Sequence, residues 1–464
     1  MGNKTTPPVV SPGAVLVVTT IASFFSTFAS SALYIALPNI GSSLHIGATG
    51  LNWTITIFLL ANASCMLPAG RIADLYGRKR VFLIGSILYA LCAGAVAVSS
   101  SLTLILVLRF FQGVAAALFM STSSALLTSV FPPERRGFAL GINVAAINVG
   151  LSAGPFLGGL LTAGFGWRSV FGIGIALGIV NVPLVLKFLQ SEWKDAHGEH
   201  LDCAGMALYM ASLGMVVVGF SQLPSVPGIV LMLAGVAGLV VFIRNESRSK
   251  QPMLKVTLFS ENRVFALSNL AAFASYAATF STSFFLSLWL QGPKGFRPEA
   301  AGLVLVMQPM LQALFSPLAG RLSDHVQARI PATTGMLLVG CGLLILTFVS
   351  AESPIIQVLM ALSFMGIGFA LFSSPNTNSV MGSVQSKELG IASATVGTMR
   401  TLGQVSSMAL ALLLSTLAGG ATAERSINHP GSELAMHLSF SVSTLICLSG
   451  ALASFVRGNN RKVH

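Results

Sequence analysis

The chain has 464 residues, of which 54% are hydrophobic and only 9% charged, with a net charge of +12. Soluble domains carry about 25% charged residues, so a water-soluble globule is excluded: too few polar groups exist to coat one of this size. With a mean hydropathy of +0.81, the composition fits lipid as solvent, and the chain reads as an all-α polytopic membrane protein.

The apolar runs follow one another along the chain. Span one covers 14–37, carries no charge and is longer than the apolar part of a cleaved leader, so it is kept as a membrane helix. Its Ser23, Thr27, Ser31 and Tyr34 recur every three or four residues and share one face. Span two, 51–70, runs into "GRIADLYGRKR" at 70–80, which gathers Arg71, Asp74, Arg78, Lys79 and Arg80. Positive charge there marks a cytoplasmic joint, but anchoring does not explain Gly70, Asp74 and Gly77. Span three covers 80–98, and span four, 101–123, contains "LRFFQG" at 108–113. Arg109 within a span costs at least ~2.5 kcal/mol on insertion scales, which calls for a partner or a wet cavity. A tie between helix ends and a part in coupling or substrate recognition both stay open. Span five, 138–162, carries "GLSAGPFLGG" at 150–159; its small residues permit close helix contact and Pro155 bends the helix. Span six covers 167–189.

Spans seven and eight, 203–221 and 227–244, are followed by spans nine to fourteen at 264–290, 299–319, 332–350, 355–377, 389–418 and 435–456. An even count places both termini on one side. Of the 26 Lys and Arg, only Arg168, Lys294, Arg297 and Arg425 fall in the opposite joints, and Arg109 and Arg400 lie within spans. That asymmetry sets both termini in the cytoplasm. The basic residues sit in separate short joints and form no patch for nucleic acid. The five cysteines lie singly, with no CxxC or metal spacing, and read as packing residues. No cofactor and no metal are expected.

"LPAGRIAD" (67–74) is echoed by "SPLAGRLSD" (316–324), each at the cytoplasmic end of a span, two and ten, so Asp324 is the repeat mate of Asp74. Such repeats are a transporter signature. They divide the chain into a six-helix bundle over 1–189, an inserted pair with cytoplasmic linkers over 190–262, and a second six-helix bundle over 263–464.

With these three motifs and fourteen spans, the chain resembles the major facilitator superfamily, in particular its fourteen-helix drug:proton antiporter branch, over essentially its whole length. The resemblance implies that Gly70, Asp74, Gly77 and Arg78 latch the two halves in the outward-open state. Arg109, Gln112 and Gly113 match its second motif, and Gly150, Gly154, Pro155 and Gly158 match the one associated with exporters. Leu75 departs from the basic residue common there. Span one ends in "ALYIALPNI", and the branch usually places an Asp nine residues ahead of that Pro; here Ala29 stands there.

All 14 acidic residues fall in joints or in the terminal turns of spans. Proton antiport normally uses a buried carboxylate, and a cationic substrate needs a negative partner. A neutral or anionic substrate is therefore expected. Candidate cavity residues are Thr27, Ser31, Tyr34, Asn62, Gln308, Gln312, Asn376, Arg400 and Gln404, with Asn148, Asn378, Phe28, Phe280 and Phe284 nearby; for each serine or threonine, a bond to a neighbouring helix is the competing reading. The expected function is secondary active export of amphipathic, drug-like small molecules across the cytoplasmic membrane by alternating access, with or without proton exchange. The chain is expected to act as a monomer in lipid and not as an enzyme. A uniporter or importer of a vitamin-like aromatic solute such as riboflavin is the alternative within the class; a non-transporting scaffold or receptor is the alternative outside it.

Overall fold

The computed structural model describes residues 11–45, 48–193, 201–223, 225–249, 252, 254, 256–417 and 430–458. Every regular element among them is helical. In the first part of the chain these are α1 (Pro12–Leu44), α2 (Ala48–Tyr76), α3 (Arg78–Val98), α4 (Leu102–Val130), α5 (Pro133–Phe165) and α6 (Arg168–Phe188). Then come α7 (Cys203–Ser221), α8 (Val226–Glu246), the single turn α9 (Thr257–Ser260), α10 (Arg263–Thr279) and α11 (Thr282–Gln291). The last part holds α12 (Pro298–Leu305), α13 (Met307–His325), α14 (Arg329–Thr347), α15 (Ile355–Met381), α16 (Leu389–Leu417) and α17 (Pro430–Val456).

Local chemistry sets many of the ends. Pro12 opens α1 where a missing N–H costs nothing. The side chains of Asp202, Ser225 and Asn262 cap α7, α8 and α10, accepting the N–H groups of Gly205, Gly228 and Phe265 at 2.8, 3.2 and 3.0 Å.

Thirteen stretches among the described residues are long and apolar enough to cross a membrane. The fourteenth crossing is α16, 29 residues long, whose apolar run is interrupted by Arg400 and Gln404. The chain is thus a polytopic helical membrane protein with fourteen crossings. Two predicted spans are each broken in two, for different reasons. Span nine divides into α10 and α11 because the Ser281 N–H turns away from the helix to the Ser407 hydroxyl at 3.0 Å. Span ten divides at Val306 because Pro309 has no N–H for the carbonyl of Leu305.

The chain separates into two compact units, residues 1–201 with 384–394 and residues 202–383 with 395–464. In the first unit Phe82, Tyr89, Phe119, Leu126 and Leu177 pack together at the heart of an apolar core. In the second, Phe285, Trp289, Met336, Phe372 and Phe440 do the same. The expected insertion, α7 and α8, forms a hairpin within the second unit. A Cβ at Gly219 or Gly235 would lie 2.5 or 2.6 Å from the facing backbone, so the two helices touch main chain to main chain. Val230, Leu233 and Val240 on α8 are exposed, the pattern of a helix bathed in lipid.

Candidate functional site

The first motif is not a loop. Arg71 to Tyr76 complete the last turns of α2, Gly77 makes the turn at φ 116°, and Arg78 starts α3. Only glycine takes that backbone angle without strain, and a Cβ at Gly77 would also lie 2.5 Å from the carboxyl group of Glu192. Asp74 and Arg78, one turn apart across this break, are both fully buried. Asp74 Oδ1 accepts Arg78 Nη2 at 2.8 Å and Nε at 3.1 Å.

The same carboxylate also accepts the Gly390 N–H at 2.9 Å and the Ile391 N–H at 3.0 Å. These amides belong to the first turn of α16, where unpaired donors and the positive end of the helix dipole favour an anion. Arg78 completes its fork with the Ser129 hydroxyl at 2.7 Å and the Ser386 carbonyl. Gly70 lets this happen: a Cβ there would sit 2.5 Å from the Gly390 carbonyl oxygen and from Ala394 Cβ. A buried carboxylate is costly alone; here charge-assisted bonds from a guanidinium and two amides compensate it.

A strap beside the motif leaves no mark in the sequence. Glu192 follows α6, and its carboxylate accepts the Lys79 N–H at 2.9 Å and lies 3.6 Å from Arg80 Nε. The Arg80 and Trp193 backbone amides bond to it as well. The neighbouring Trp193 carbonyl accepts the Arg78 N–H at 3.0 Å. Burial pushes the Glu192 carboxyl up from its ordinary value, partly offset by these donors and by Arg80.

The second motif ties α4 to α2. Arg109 is buried, donates from Nε to the Thr54 carbonyl at 3.0 Å and from Nη1 to Gln112 Oε1 at 2.6 Å, and lies 4.3 Å from the Phe58 ring centre. Gly113 permits the approach, since a Cβ there would fall 2.4 Å from the Phe58 carbonyl oxygen. Of the two readings left open for Arg109, the inter-helix tie is directly visible.

The third motif is a seam between α5 and α1. Cβ atoms at Gly150, Gly154 and Gly158 would lie 2.4 to 2.5 Å from Thr27, Ser31 and Ala32. This settles where two cavity candidates point. Thr27 Oγ1 bonds the Ser23 carbonyl at 2.8 Å, and Ser31 Oγ bonds the Leu151 carbonyl at 2.9 Å, so both serve the seam. Asn143 Nδ2 adds a bond to Ser23 Oγ at 3.0 Å. The side chains of Tyr34 and Pro155 lie outside the described residues. Asn62 is buried and its Nδ2 has no partner among the described residues, while Asn148 bonds back to the Val144 carbonyl at 2.7 Å.

In the second unit, Asn376 leaves the expected cavity wall. It is buried, its Oδ1 accepts Arg457 Nη1 at 2.6 Å and its Nδ2 donates to the Ser268 carbonyl at 3.0 Å. Both ends of its amide are occupied. Asp324 does not repeat the environment of Asp74: it is half-buried, and Asn378 Nδ2 approaches it at 3.5 Å while bonding Ser323 at 3.1 Å. Gln308 is half-buried and Gln312 buried on α13. Arg400 and Gln404, one turn apart on α16, are both half-buried, and Arg400 has no hydrogen bond or ion pair among the described residues. Tyr276 and Phe369 meet edge to face with centres 5.0 Å apart, and Phe280 is exposed. Among the described residues no group of three or more His, Cys, Asp or Glu is placed to hold a metal.

Residues 19–202 and 268–463 match the family model of the Major Facilitator Superfamily. The chain is 27% identical over 456 residues to the riboflavin transporter RibZ of Clostridioides difficile, covering 97% of this chain and 98% of that protein. It is 31% identical over 409 residues to the multidrug resistance protein Stp of Mycobacterium tuberculosis, covering 87% and 75% respectively. Among solved structures, the human organic anion transporter MFSD10 superposes with a TM-score of 0.69 at 16% identity, covering 97% of this chain and all of that one. A double tryptophan variant of XylE superposes with a TM-score of 0.71 at 13% identity, over 98% and 97% of the two chains. By the family model over most of its length and the 31% identical relative, the chain belongs to the major facilitator superfamily of transporters.

Proposed function

We propose that this transporter exports neutral or anionic, planar amphipathic small molecules from the cytoplasm by alternating access. The observation that carries the substrate class is Arg400. It is the twelfth residue of a 29-residue crossing, half-buried, with no acceptor among the described residues, and Gln404 stands one turn further on. A guanidinium placed so deep is stabilised by a negative or strongly accepting solute and repels a cation. No acidic residue in the sequence lies mid-span to offset it, and Ala29 occupies the position where the related branch usually has its acid.

The Asp74 clasp supports a two-state cycle. It binds the first turn of α16, a helix whose opening residues group with the first unit and whose remainder groups with the second. Holding and releasing those amides is a discrete event of the kind alternating access needs. Both termini are taken as cytoplasmic from the Lys and Arg asymmetry.

A second reading, entry or uniport of a vitamin-like aromatic solute, is favoured by the missing membrane carboxylate and by the near full-length likeness to a riboflavin transporter. One experiment separates these. The purified chain in liposomes is assayed for flux of riboflavin, of a sulfonated anionic dye and of ethidium, with and without an imposed pH gradient. Saturable flux of either of the first two is expected. Saturable ethidium transport would overturn the substrate class, and flux indifferent to the gradient would select the uniporter.

A further inference from the structure

We propose that Glu192 is a positioning residue for the Asp74 clasp. By capping the start of α3 it fixes the direction in which Arg78 reaches back to Asp74, and through Arg78 it holds the amides of Gly390 and Ile391. The inference rests on reading the clasp as the conformational hold of the transport cycle.

The geometry has three parts. First, α3 begins at Arg78 without a capping side chain from its own chain neighbour, because Gly77 has none. The exposed donors are met from outside. Trp193 offers its carbonyl to the Arg78 N–H at 3.0 Å, and Glu192 offers its carboxylate to the Lys79 N–H at 2.9 Å and to the Arg80 N–H. A carboxylate at a helix start satisfies both the orphan donors and the dipole.

Second, the same first turn supports the clasp. Arg78 is fully buried and spends its donors on Asp74, Ser129 and the Ser386 carbonyl. Its backbone direction is set at Gly77, whose φ of 116° is adopted by side-chain-bearing residues only under strain. A freed first turn would therefore swing the guanidinium away from a carboxylate it meets at 2.8 Å.

Third, Glu192 fits the notch that Gly77 leaves. A Cβ at that glycine would lie 2.5 Å from the Glu192 carboxyl carbon and Oε1. Trp193 packs its ring against the apolar core of the first unit, so the strap is nailed down beside its own cap. The stretch that leaves α6 is thus fastened to the motif by a carboxylate, a carbonyl and an indole.

The test is hydrogen–deuterium exchange on the full chain in lipid nanodiscs, comparing wild type, Glu192→Ala, Glu192→Gln and Asp74→Asn. Transport is not needed as a readout. Glu192→Ala is expected to speed exchange about fivefold over 78–82, the loss of one helix cap. It should also speed exchange at Gly390 and Ile391, which Glu192 does not touch. Glu192→Gln, which keeps an acceptor oxygen, should restore most of the protection at both places. Faster exchange confined to 78–82 in Glu192→Ala, with Gly390 and Ile391 released only by Asp74→Asn, would reduce Glu192 to a local cap and overturn the proposal. If Asp74→Asn itself leaves Gly390 and Ile391 protected, the clasp falls and takes the proposal with it. Should Glu192→Ala fold poorly, Glu192→Asp, whose shorter arm withdraws the acceptor, is expected to show the same paired loosening.

Discussion

Asn376 holds Arg457 by a 2.6 Å bond from Nη1 to Oδ1, while its own Nδ2 reaches the Ser268 carbonyl 3.0 Å away. Arg457 follows the last residue of α17, yet it turns into the protein instead of out to the headgroups and is 1% exposed. Burial, and secondarily the Arg329 charge, lower its guanidinium to about 10, so it still carries its proton at neutral pH. A buried cation depends on its acceptors. Asn376→Ala is expected to destabilise the chain by about 2 kcal/mol, the value of a charge-assisted bond, while flux per folded molecule keeps its half-saturation. Thermal unfolding in detergent and liposome flux together check this; a changed half-saturation with normal stability would return Asn376 to the substrate wall.

Removing Asp74 takes from Arg78 its carboxylate partner. Asp74→Ala leaves a guanidinium with no exposure facing two unpaired amides. Breaking one side of a buried ion pair costs about 3–5 kcal/mol. A large fall in melting temperature is expected, and a double variant with Arg78→Met should recover part of it.

The seam of α1 and α5 makes a graded prediction from glycines on one helix. At Gly154 a Cβ would fall 2.5 Å from Ser31, whereas at Gly164 nothing lies within 4 Å. Gly154→Ala should cost about 1–3 kcal/mol by overpacking and slow turnover, and Gly164→Ala should change neither. Equal effects at the two positions would show that the seam is not tight.

Arg400 separates binding from folding. Because it has no bond among the described residues, Arg400→Gln should unfold at nearly the wild-type temperature. Flux of the anionic dye at low concentration is expected to fall about tenfold or more, as for a lost charged contact, with riboflavin less affected and Arg400→Lys intermediate. Loss of stability without a change in half-saturation would make Arg400 structural.

Glu192 gives a pH dependence with a definite sign. Its carboxyl is raised in the fold, chiefly by burial. A raised folded value contributes stability that is fully present below the unfolded value and is lost as pH rises through the folded one. The stability of wild type relative to Glu192→Gln should therefore increase as pH is lowered from neutrality toward about 4, the range where a glutamate protonates. The reverse trend in matched thermal melts would mean that the donors at Lys79 and Arg80 outweigh burial.

Sequence alone determined that the chain crosses the membrane fourteen times, because runs of about 20 apolar residues have no other stable home. It also marked the motif at Gly70, Asp74, Gly77 and Arg78, whose charge stands out against its surroundings, and the glycines of α4 and α5, whose spacing forms a seam. It did not reveal what those groups touch. Spacing along one helix shows that Ser23, Thr27 and Ser31 share a face, but not that the face meets α5 instead of a cavity. Only the fold decided that Asp74 binds amides more than 300 residues away, that Asn376 serves Arg457, and that Glu192 closes the start of α3. The physical reason is that apolar burial is written in local composition. A buried polar group is satisfied instead by whichever donor or acceptor the packing brings within 3 Å or so, and that partner leaves no trace in the neighbouring sequence.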